Sequence, residues 1–332
     1  MSLSKSQQYL ELGGRRRNSA NITLIMLIFN NGKTVSKTLK SLLKQSNQDF
    51  NFIIVDDSST DNSLLEIYRL TSKFRNCTVI ENEFNLGETE NLRNAIRISL
   101  ELYPKTEFIS FIGPDDIYEP LWLETGFRKL NSSKKAIAFQ SATKYQWDNG
   151  FHVLSKYQNI GKSSNIGKLI DIPRQTDRSG SYSYYGNFIG GLIRRSFVEK
   201  YWSQNSKLVE SFFILEDINV FLMISAGGIQ TSPEVLMTKN KLVSMKDSEY
   251  ILRHQDSTLR KKLGSNSSKI IAAYRILSWG FKNYPEKSII MILHLMLSLW
   301  QPFFKPIFRP IYRLIRERLL RQSNRNWMSS RT

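Results

Sequence analysis

The stretch Phe108–Pro120 decides the fold and reads Phe-Ile-Ser-Phe-Ile-Gly-Pro-Asp-Asp-Ile-Tyr-Glu-Pro. Its first five residues are largely apolar, which is typical of a strand buried on both faces. Gly113 and Pro114 end that strand, and the carboxylates Asp115 and Asp116 follow at its carboxyl end. Ligands of open α/β sheets bind there. Adjacent carboxylates suit a divalent cation that bridges to a phosphate, but they also suit a turn that caps the next helix.

Three strand–helix units precede this stretch. Continuous apolar runs predict the strands, and apolar residues at helical spacing predict the helices. The predicted strands are Ile22–Phe29, Phe52–Val55 and Cys77–Glu81, and the helices begin near Val35, Leu64 and Thr89. Such repeats predict an α/β fold with a doubly wound, mostly parallel sheet. Further strands are expected from Ala136–Gln140 onward.

Polar residues follow three of the predicted strands, at Asn30, at Asp56 with Asp57, and at Asp115 with Asp116. Because the carboxyl ends of parallel strands meet at one edge, these side chains are expected to converge. The first strand is followed neither by a Gly-x-Gly-x-x-Gly fingerprint nor by a Walker loop. A bound nucleotide is therefore expected to be held by polar and acidic groups and through a metal.

Composition limits the class of protein. The chain has 332 residues, and 41% hydrophobic content provides for a sizeable core. A single cysteine, Cys77, excludes an internal disulfide framework and fits a reducing cytoplasm. The first 18 residues carry no apolar run of the kind found in a signal peptide.

The net charge of +18 is concentrated at the ends of the chain. Residues 251–332 contain 16 Lys and Arg against 3 Asp and Glu, and residues 1–17 contain 4 against 1. The remaining body is nearly neutral, so a nucleic-acid partner is not expected.

Three segments together resemble the family-two glycosyltransferases with a GT-A fold, of the bacterial polysaccharide or O-antigen type. They are Leu27-Ile28-Phe29-Asn30, Val55-Asp56-Asp57-Ser58-Ser59-Thr60-Asp61 and Gly113-Pro114-Asp115-Asp116-Ile117-Tyr118-Glu119-Pro120. The resemblance covers about residues 20–260. It implies an inverting transferase that takes a sugar from a nucleotide diphosphate, with UDP-sugars the favoured donors.

The resemblance also implies roles for residues of the donor side. Asp57 would accept the ring N–H of the donor base, with Leu27 and Asn30 lining the same pocket. Asp115 would bind Mn²⁺ or Mg²⁺, and Asp116 would contact the donor. Gly113 departs from the family, because many members carry there an Asp that contacts the ribose.

Asn85-Leu86-Gly87 and the later Arg93-Asn94 resemble a further family segment, although the spacing is one residue longer than usual. Asn85 and Arg93 are accordingly predicted donor contacts. Arg93 is equally explained as a solvated helix arginine.

The acceptor side is predicted in the second half of the chain. A Ser-, Tyr- and Gly-rich run suits a platform for a sugar, although it also suits an ordinary loop. The predicted acceptor residues are Tyr185, Asn187, Gly190 and Glu216.

Two further residues follow from the same resemblance. Asp217 stands at the start of an apolar helix and is the predicted general base, although capping that helix explains it as well. His254 resembles a family element that closes over the diphosphate or metal, and it is a predicted metal ligand. The alternative is a structural histidine.

The C-terminal tail combines an apolar run, Ser288–Trp300, with alternating aromatic and basic residues after it. The run is 13 residues long and a spanning helix needs about 20. The pattern predicts an interfacial membrane element, with packing on the body or a dimer interface as alternatives.

These observations predict three regions: a polar, basic arm (1–18), a GT-A catalytic domain (19–260) and a basic amphipathic helical tail (261–332). Within the domain, 19–130 is the nucleotide-sugar half and 131–260 the acceptor half. The predicted function is sugar transfer to a lipid-linked saccharide in cell-surface polysaccharide synthesis, peripheral at the inner face of the membrane. A non-catalytic membrane-surface module and, less favoured, a nucleotidyltransferase are the alternatives.

Overall fold

The computed structural model describes residues 7–12, 20–147, 152–155, 190–203, 223 and 226–241. The strands are β1 (Gln7–Leu12), β2 (Ile22–Ile28), β3 (Phe50–Asp56), β4 (Cys77–Asn82), β5 (Phe108–Ile112), β6 (Asp116–Tyr118), β7 (Ala138–Trp147), β8 (His152–Ser155), β9 (Leu192–Arg194) and β10 (Ile229–Lys241). The helices are α1 (Val35–Leu43), α2 (Ser63–Thr71), α3 (Glu88–Leu102), α4 (Trp122–Asn131) and α5 (Arg195–Val198), which continues into a π-helical turn, Glu199–Ser203.

The described strands form one ten-stranded sheet in the order β1-β4-β3-β2-β5-β9-β7-β10-β6, with β8 paired to β7. Strands β4, β3, β2 and β5 are parallel to one another, and β7 is parallel to β10. Strand β9 is antiparallel to both β5 and β7, so it joins two parallel groups. The doubly wound, mostly parallel sheet predicted from the sequence is confirmed.

The main core lies on one face of this sheet, where α1, α2 and α4 pack. Side chains of a strand alternate between faces, so every second residue of β2 points to this core. The core contains Leu24, Met26, Phe52, Leu39, Ile67 and Trp122, each of them buried. Each such side chain contributes about 1.5–3 kcal/mol through removal from water. This packing fixes the strand ends and the loops that follow them.

Helix α3 packs against β2 and β3, and the π-helical turn packs against α3. The ring of Trp202, in that turn, meets Phe111 of β5 edge-on at 5.5 Å between ring centres. The parallel strands are therefore covered by α1, α2 and α4 and by this second group.

Two structural details were not predicted from the sequence. Residues 7–12, within the predicted arm, form β1, which pairs antiparallel with β4 at the edge of the sheet. Strand β6 carries Asp116 and pairs antiparallel with β10.

The C-terminal tail lies outside the described residues. No helix in the described part of the chain is long and apolar enough to cross a membrane.

Candidate functional site

The loops after β2 and β3 meet at the carboxyl edge of the sheet and hold each other in place. The backbone N–H of Asn30 donates to Ser59 Oγ (3.0 Å), and Asn30 Oδ1 accepts from the N–H of Thr60 (2.9 Å). Asn30 (φ 55°) and Ser58 (φ 61°) both have left-handed backbones, which are uncommon without glycine. Strain of this kind persists where surrounding contacts impose it and is concentrated at functional sites.

Asp56, the last residue of β3, stabilises the loop after β3 through hydrogen bonds. Its carboxylate accepts from the N–H of Ser59 (2.9 Å) and from Ser59 Oγ (2.6 Å). Burial raises the pKa of Asp56 above 3.8, the Ser59 hydrogen bonds oppose that rise, and the charges of Glu81 and Asp57 add to it. Asp56 is therefore a structural carboxylate beneath the site.

Asp57 organises the turn after β4. Only 3% of Asp57 is exposed, and its Oδ1 accepts from Asn82 Nδ2 (2.8 Å) and the N–H of Leu86 (2.9 Å). Its Oδ2 accepts from the N–H of Gly87 (2.9 Å), and Asn85 Nδ2 donates to the backbone carbonyl of Asp57 (3.1 Å). Asp57 and Asn85, both predicted to bind the sugar donor, are thus in direct contact.

The wall beside these loops is apolar and partly open. Leu27 is half-buried, whereas the other residues of β2 are buried. Phe29 is 37% exposed just after β2, and Phe84 is 55% exposed just after β4. Exposed aromatic side chains next to the loops after β2 and β4 suit stacking against a planar ring.

The carboxylates of Asp115 and Asp116 converge on Gly113. A Cβ placed on Gly113 would lie 2.5 Å from Asp116 Oδ2 and 3.3 Å from Asp115 Oδ1. A side chain at position 113 would therefore displace at least one carboxylate. The glycine that departs from the family pattern leaves the space between the two carboxylates clear; we call this the Gly113 cradle, formed by Gly113, Asp115 and Asp116.

Strand β10 supports the cradle from the side. Lys239 lies opposite Asp116 in the ladder, and its Nζ is 3.8 Å from Asp116 Oδ2. The amide of Asn240 donates to the backbone carbonyl of Asp115 (2.6 Å). Asp116 is buried and Asp115 is half-buried, so Asp115 is the more accessible carboxylate.

The cradle fits a hard divalent cation in part. Carboxylate oxygens are the ligands that Mg²⁺ and Mn²⁺ take, and Mg²⁺ often binds through one or two carboxylates plus substrate phosphates. No group of three or more His, Cys, Asp or Glu side chains within the described ranges is placed to hold a metal ion. The cradle alone would therefore leave most of the coordination to phosphate and water.

Gly190 adjoins the cradle from the acceptor half. Its N–H donates to the carbonyl of Phe111 (2.7 Å), and its own carbonyl accepts from Trp122 Nε1 (3.0 Å). Its φ of +97° favours glycine, and a Cβ there would also displace Met237 Sδ. The Tyr118 hydroxyl accepts from the N–H of Gly113 (3.3 Å), and burial raises the pKa of Tyr118 well above 10.0, with Asp116 adding to the rise.

The remaining predicted residues fall into two groups. Arg93 forms an ion pair with Glu90, three residues earlier on α3. The predicted residues Tyr185, Asn187, Glu216, Asp217 and His254 lie outside the described residues. Their predicted roles stay predictions.

Several residues of the site were missed by the sequence reading. Asn82 lies one residue past the end of the predicted strand, yet it is buried and its Nδ2 also donates to Asn91 Oδ1 (3.1 Å). Phe29 was read as the last residue of a buried strand. Nothing in the sequence indicates Lys239 or Asn240 as site residues, because the residues that they contact, Asp116 and Asp115, are more than 120 residues away in the chain.

Comparison with known sequences identifies the family. Residues 23–202 match glycosyl transferase family 2. The chain is 26% identical over 149 residues to the Escherichia coli UDP-Glc:alpha-D-GlcNAc-diphosphoundecaprenol beta-1,3-glucosyltransferase WfgD, covering 45% of this chain and 50% of that protein. It is 35% identical over 117 residues to the poly(ribitol-phosphate) beta-glucosyltransferase of Bacillus spizizenii, covering 34% of this chain and 18% of that protein. The chain thus spans half or less of the length of these relatives.

Solved structures with a similar chain path include S. aureus TarS 1-349 in complex with UDP, at a TM-score of 0.47 and 18% identity over 80% of this chain and 72% of that one. Another is glucosyl-3-phosphoglycerate synthase of Mycobacterium tuberculosis with Mn²⁺ and UDP. The TM-score is 0.45 and the identity 13%, and the match covers 72% of this chain and 78% of that one. Likeness at this level assigns no residue roles. The family match covers more than half of the chain, so this protein belongs to glycosyl transferase family 2 and its doubly wound sheet is a GT-A fold.

Proposed function

We propose that this glycosyltransferase moves a sugar, with inversion, from a nucleotide-diphosphate sugar to a saccharide carried on a membrane lipid. One observation carries the proposal. Asp57 and the Gly113 cradle lie at the same edge of one sheet, after strands β3 and β5, which flank β2. Neighbouring strands are about 4.8 Å apart, so β3 and β5, with β2 between them, are about 10 Å apart. A nucleoside diphosphate can extend from one to the other.

The donor base would lie at the Asp57 end. Leu27 and Phe29 offer an apolar surface there, and Asn30, Asp57 and Asn85 supply polar atoms for the base and ribose. UDP-sugars are the favoured donors, and the E. coli relative is named as a UDP-glucose enzyme.

The donor diphosphate would lie at the Gly113 cradle. Asp115, the more accessible carboxylate, would hold Mn²⁺ or Mg²⁺ there, with Asp116 beside it. Such a cation offsets negative charge on the departing diphosphate. The space that Gly113 leaves clear gives room for it.

Asp217 is the proposed base, on the resemblance to the family. In an inverting displacement the acceptor hydroxyl gives its proton to a carboxylate while its oxygen bonds to the anomeric carbon. The bond from that carbon to the diphosphate oxygen breaks at the same time. His254 is proposed to close over the diphosphate or the metal.

The acceptor is proposed to be lipid-linked, at the inner face of the membrane, for a cell-surface polysaccharide. The name of WfgD, which includes diphosphoundecaprenol, supports an acceptor of this class. The basic, aromatic-rich tail suits attachment to anionic lipid. The Ser-, Tyr- and Gly-rich run with Tyr185, Asn187 and Gly190, together with Glu216 further along the chain, would bind the acceptor sugar.

The test is Asp115→Ala, with Glu119→Gln as its control, because Glu119 is an exposed carboxylate four residues away. We expect Asp115→Ala to lower Mn²⁺-dependent release of UDP from UDP-glucose or UDP-GlcNAc by about 100-fold or more. Its melting temperature should match that of the control. Full activity of Asp115→Ala, or of the wild type in excess chelator, would refute the metal role. A wild type that turns over no nucleotide sugar would favour the non-catalytic module.

A further inference from the structure

Lys239 places a positive charge at the edge of the Gly113 cradle, where nothing in the proposed function uses it. Its Nζ lies 3.8 Å from Asp116 Oδ2. The same Oδ2 is the atom that would lie 2.5 Å from a Cβ on Gly113, so it lines the cradle. The ammonium group and the cradle therefore share one oxygen atom.

The position of Lys239 is fixed by the backbone. Lys239 lies opposite Asp116 in the β10–β6 ladder, and Met237 and Thr238 pair with the other two residues of β6. The next residue, Asn240, donates to the carbonyl of Asp115. Two successive residues of β10 thus hold the two acidic residues, and the ammonium group is built into the site.

This charge has opposite effects on two kinds of ligand. A divalent cation bound to a carboxylate oxygen sits about 2.1 Å from it, so a cation on Asp116 Oδ2 would be within about 6 Å of the ammonium. Lys239 therefore disfavours a bare cation in the cradle. A diphosphate in the same place is anionic, and the ammonium attracts it.

We propose that Lys239 determines which ligand enters the Gly113 cradle, by favouring a cation bound to a nucleoside diphosphate over a free divalent cation. This inference rests on the proposed function, because it assumes a diphosphate donor at this cradle. A free cation then binds weakly, and the metal binds and leaves with the nucleotide.

Lys239→Met tests the proposal, since methionine keeps an unbranched side chain of similar length without the charge. Coulomb's law for charges of +1 and +2 about 6 Å apart, in a medium as polar as water, predicts a change of about tenfold in affinity. We expect Mn²⁺ alone to bind Lys239→Met about tenfold or more tightly than it binds the wild type, measured by electron paramagnetic resonance. We expect UDP, at saturating Mn²⁺, to bind the variant about tenfold more weakly in calorimetry.

Two control variants separate charge from structure. Lys239→Arg keeps the charge and should behave as the wild type in both titrations. Lys144→Met removes a lysine from the neighbouring strand β7, where Lys144 pairs with Thr238, and should leave both affinities unchanged. Lys239→Gln, which retains a polar end group, replaces Lys239→Met if that variant melts well below the wild type.

The outcomes are decisive in either direction. Tighter Mn²⁺ binding together with weaker UDP binding supports the proposal. Mn²⁺ binding that is unchanged or weaker in folded Lys239→Met, or Lys239→Gln, overturns it and leaves Lys239 as a structural ion pair, and UDP binding that is not weakened overturns it as well. Failure of the proposed function looks different: the wild type would then bind no UDP with or without Mn²⁺.

Discussion

Replacing Asp57 by Asn exchanges one carboxylate oxygen for an amide group in a position that leaves no room for extra donors. Asp57 is 3% exposed and accepts from Asn82 Nδ2 at 2.8 Å and from two backbone N–H groups, of Leu86 and Gly87, each at 2.9 Å. In one orientation the new amide faces the N–H of Gly87. In the other it faces the N–H of Leu86 and the amide of Asn82. Each orientation opposes donor to donor.

The magnitude follows from these contacts. A hydrogen bond to a charged group contributes about 1.5–3 kcal/mol, and a buried N–H left without an acceptor costs about 1–3 kcal/mol. At least one of the three contacts is lost, so Asp57→Asn should lower the free energy of unfolding by about 2–4 kcal/mol. For a domain of this size that corresponds to a melting temperature lower by roughly 5–15 °C.

Urea denaturation and calorimetry measure the effect, with UDP binding titrated on the folded variant. The turn at Asn85–Gly87 should lose its fixed geometry, and UDP should bind at least about tenfold more weakly, because buried polar contacts of the pocket are broken. Asp49→Asn is the matched control. Asp49 is exposed in the loop before β3, and its replacement should change stability by less than about 0.5 kcal/mol. An Asp57→Asn variant as stable as this control would refute the reasoning.

Three further predictions concern other parts of the chain. Burial raises the pKa of Asp56 above 3.8, so the folded chain holds that proton more tightly and the free energy of unfolding falls as pH rises from 3.8 through the folded-state pKa. The stability of Asp56→Asn relative to wild type, from urea denaturation, should therefore increase with pH across that window; a pH-independent difference would contradict this. Asp217→Asn should lower kcat by about 100-fold or more with UDP affinity unchanged, since Asn caps a helix about as well as Asp. Near-normal kcat would return Asp217 to a capping role. Truncation before Ser288 should abolish salt-sensitive co-sedimentation with anionic vesicles but spare UDP release, and vesicle binding by the truncated chain would argue against a membrane role for the tail.

The sequence predicted the parts of the fold that local patterns determine. The bounds of β5 were predicted to the residue, because both faces of that strand are buried and Gly113-Pro114 ends it. The alternation of strands and helices from β2 to β5 followed from the same kind of pattern. Strand β1 was missed because Gln-Gln-Tyr-Leu-Glu-Leu has little strand character of its own, and its pairing depends on the exposed edge of β4.

The candidate site was predicted as a set of residues and not as a set of contacts. Leu27, Asn30 and Asp57 were placed in one pocket and Asn85 was predicted as a further donor contact; the structure joins Asp57 to Asn85 and links Asn30 to the loop after β3. The Asp57 carboxylate accepts from the backbone N–H groups of Leu86 and Gly87, and no residue type reveals such donors. Lys239 was not predicted as a site residue because only the pairing of β10 with β6 brings it to Asp116.

Strand β1 has a practical consequence for work with this protein. Without it, the six residues of β4 would present a row of unpaired N–H and carbonyl groups, the kind of template on which a second molecule can add a strand. Deletion of residues 7–12 would thus expose the edge of β4 and favour self-association. A solubility tag fused in place of these residues leaves that edge open, whereas a tag placed before them keeps it closed.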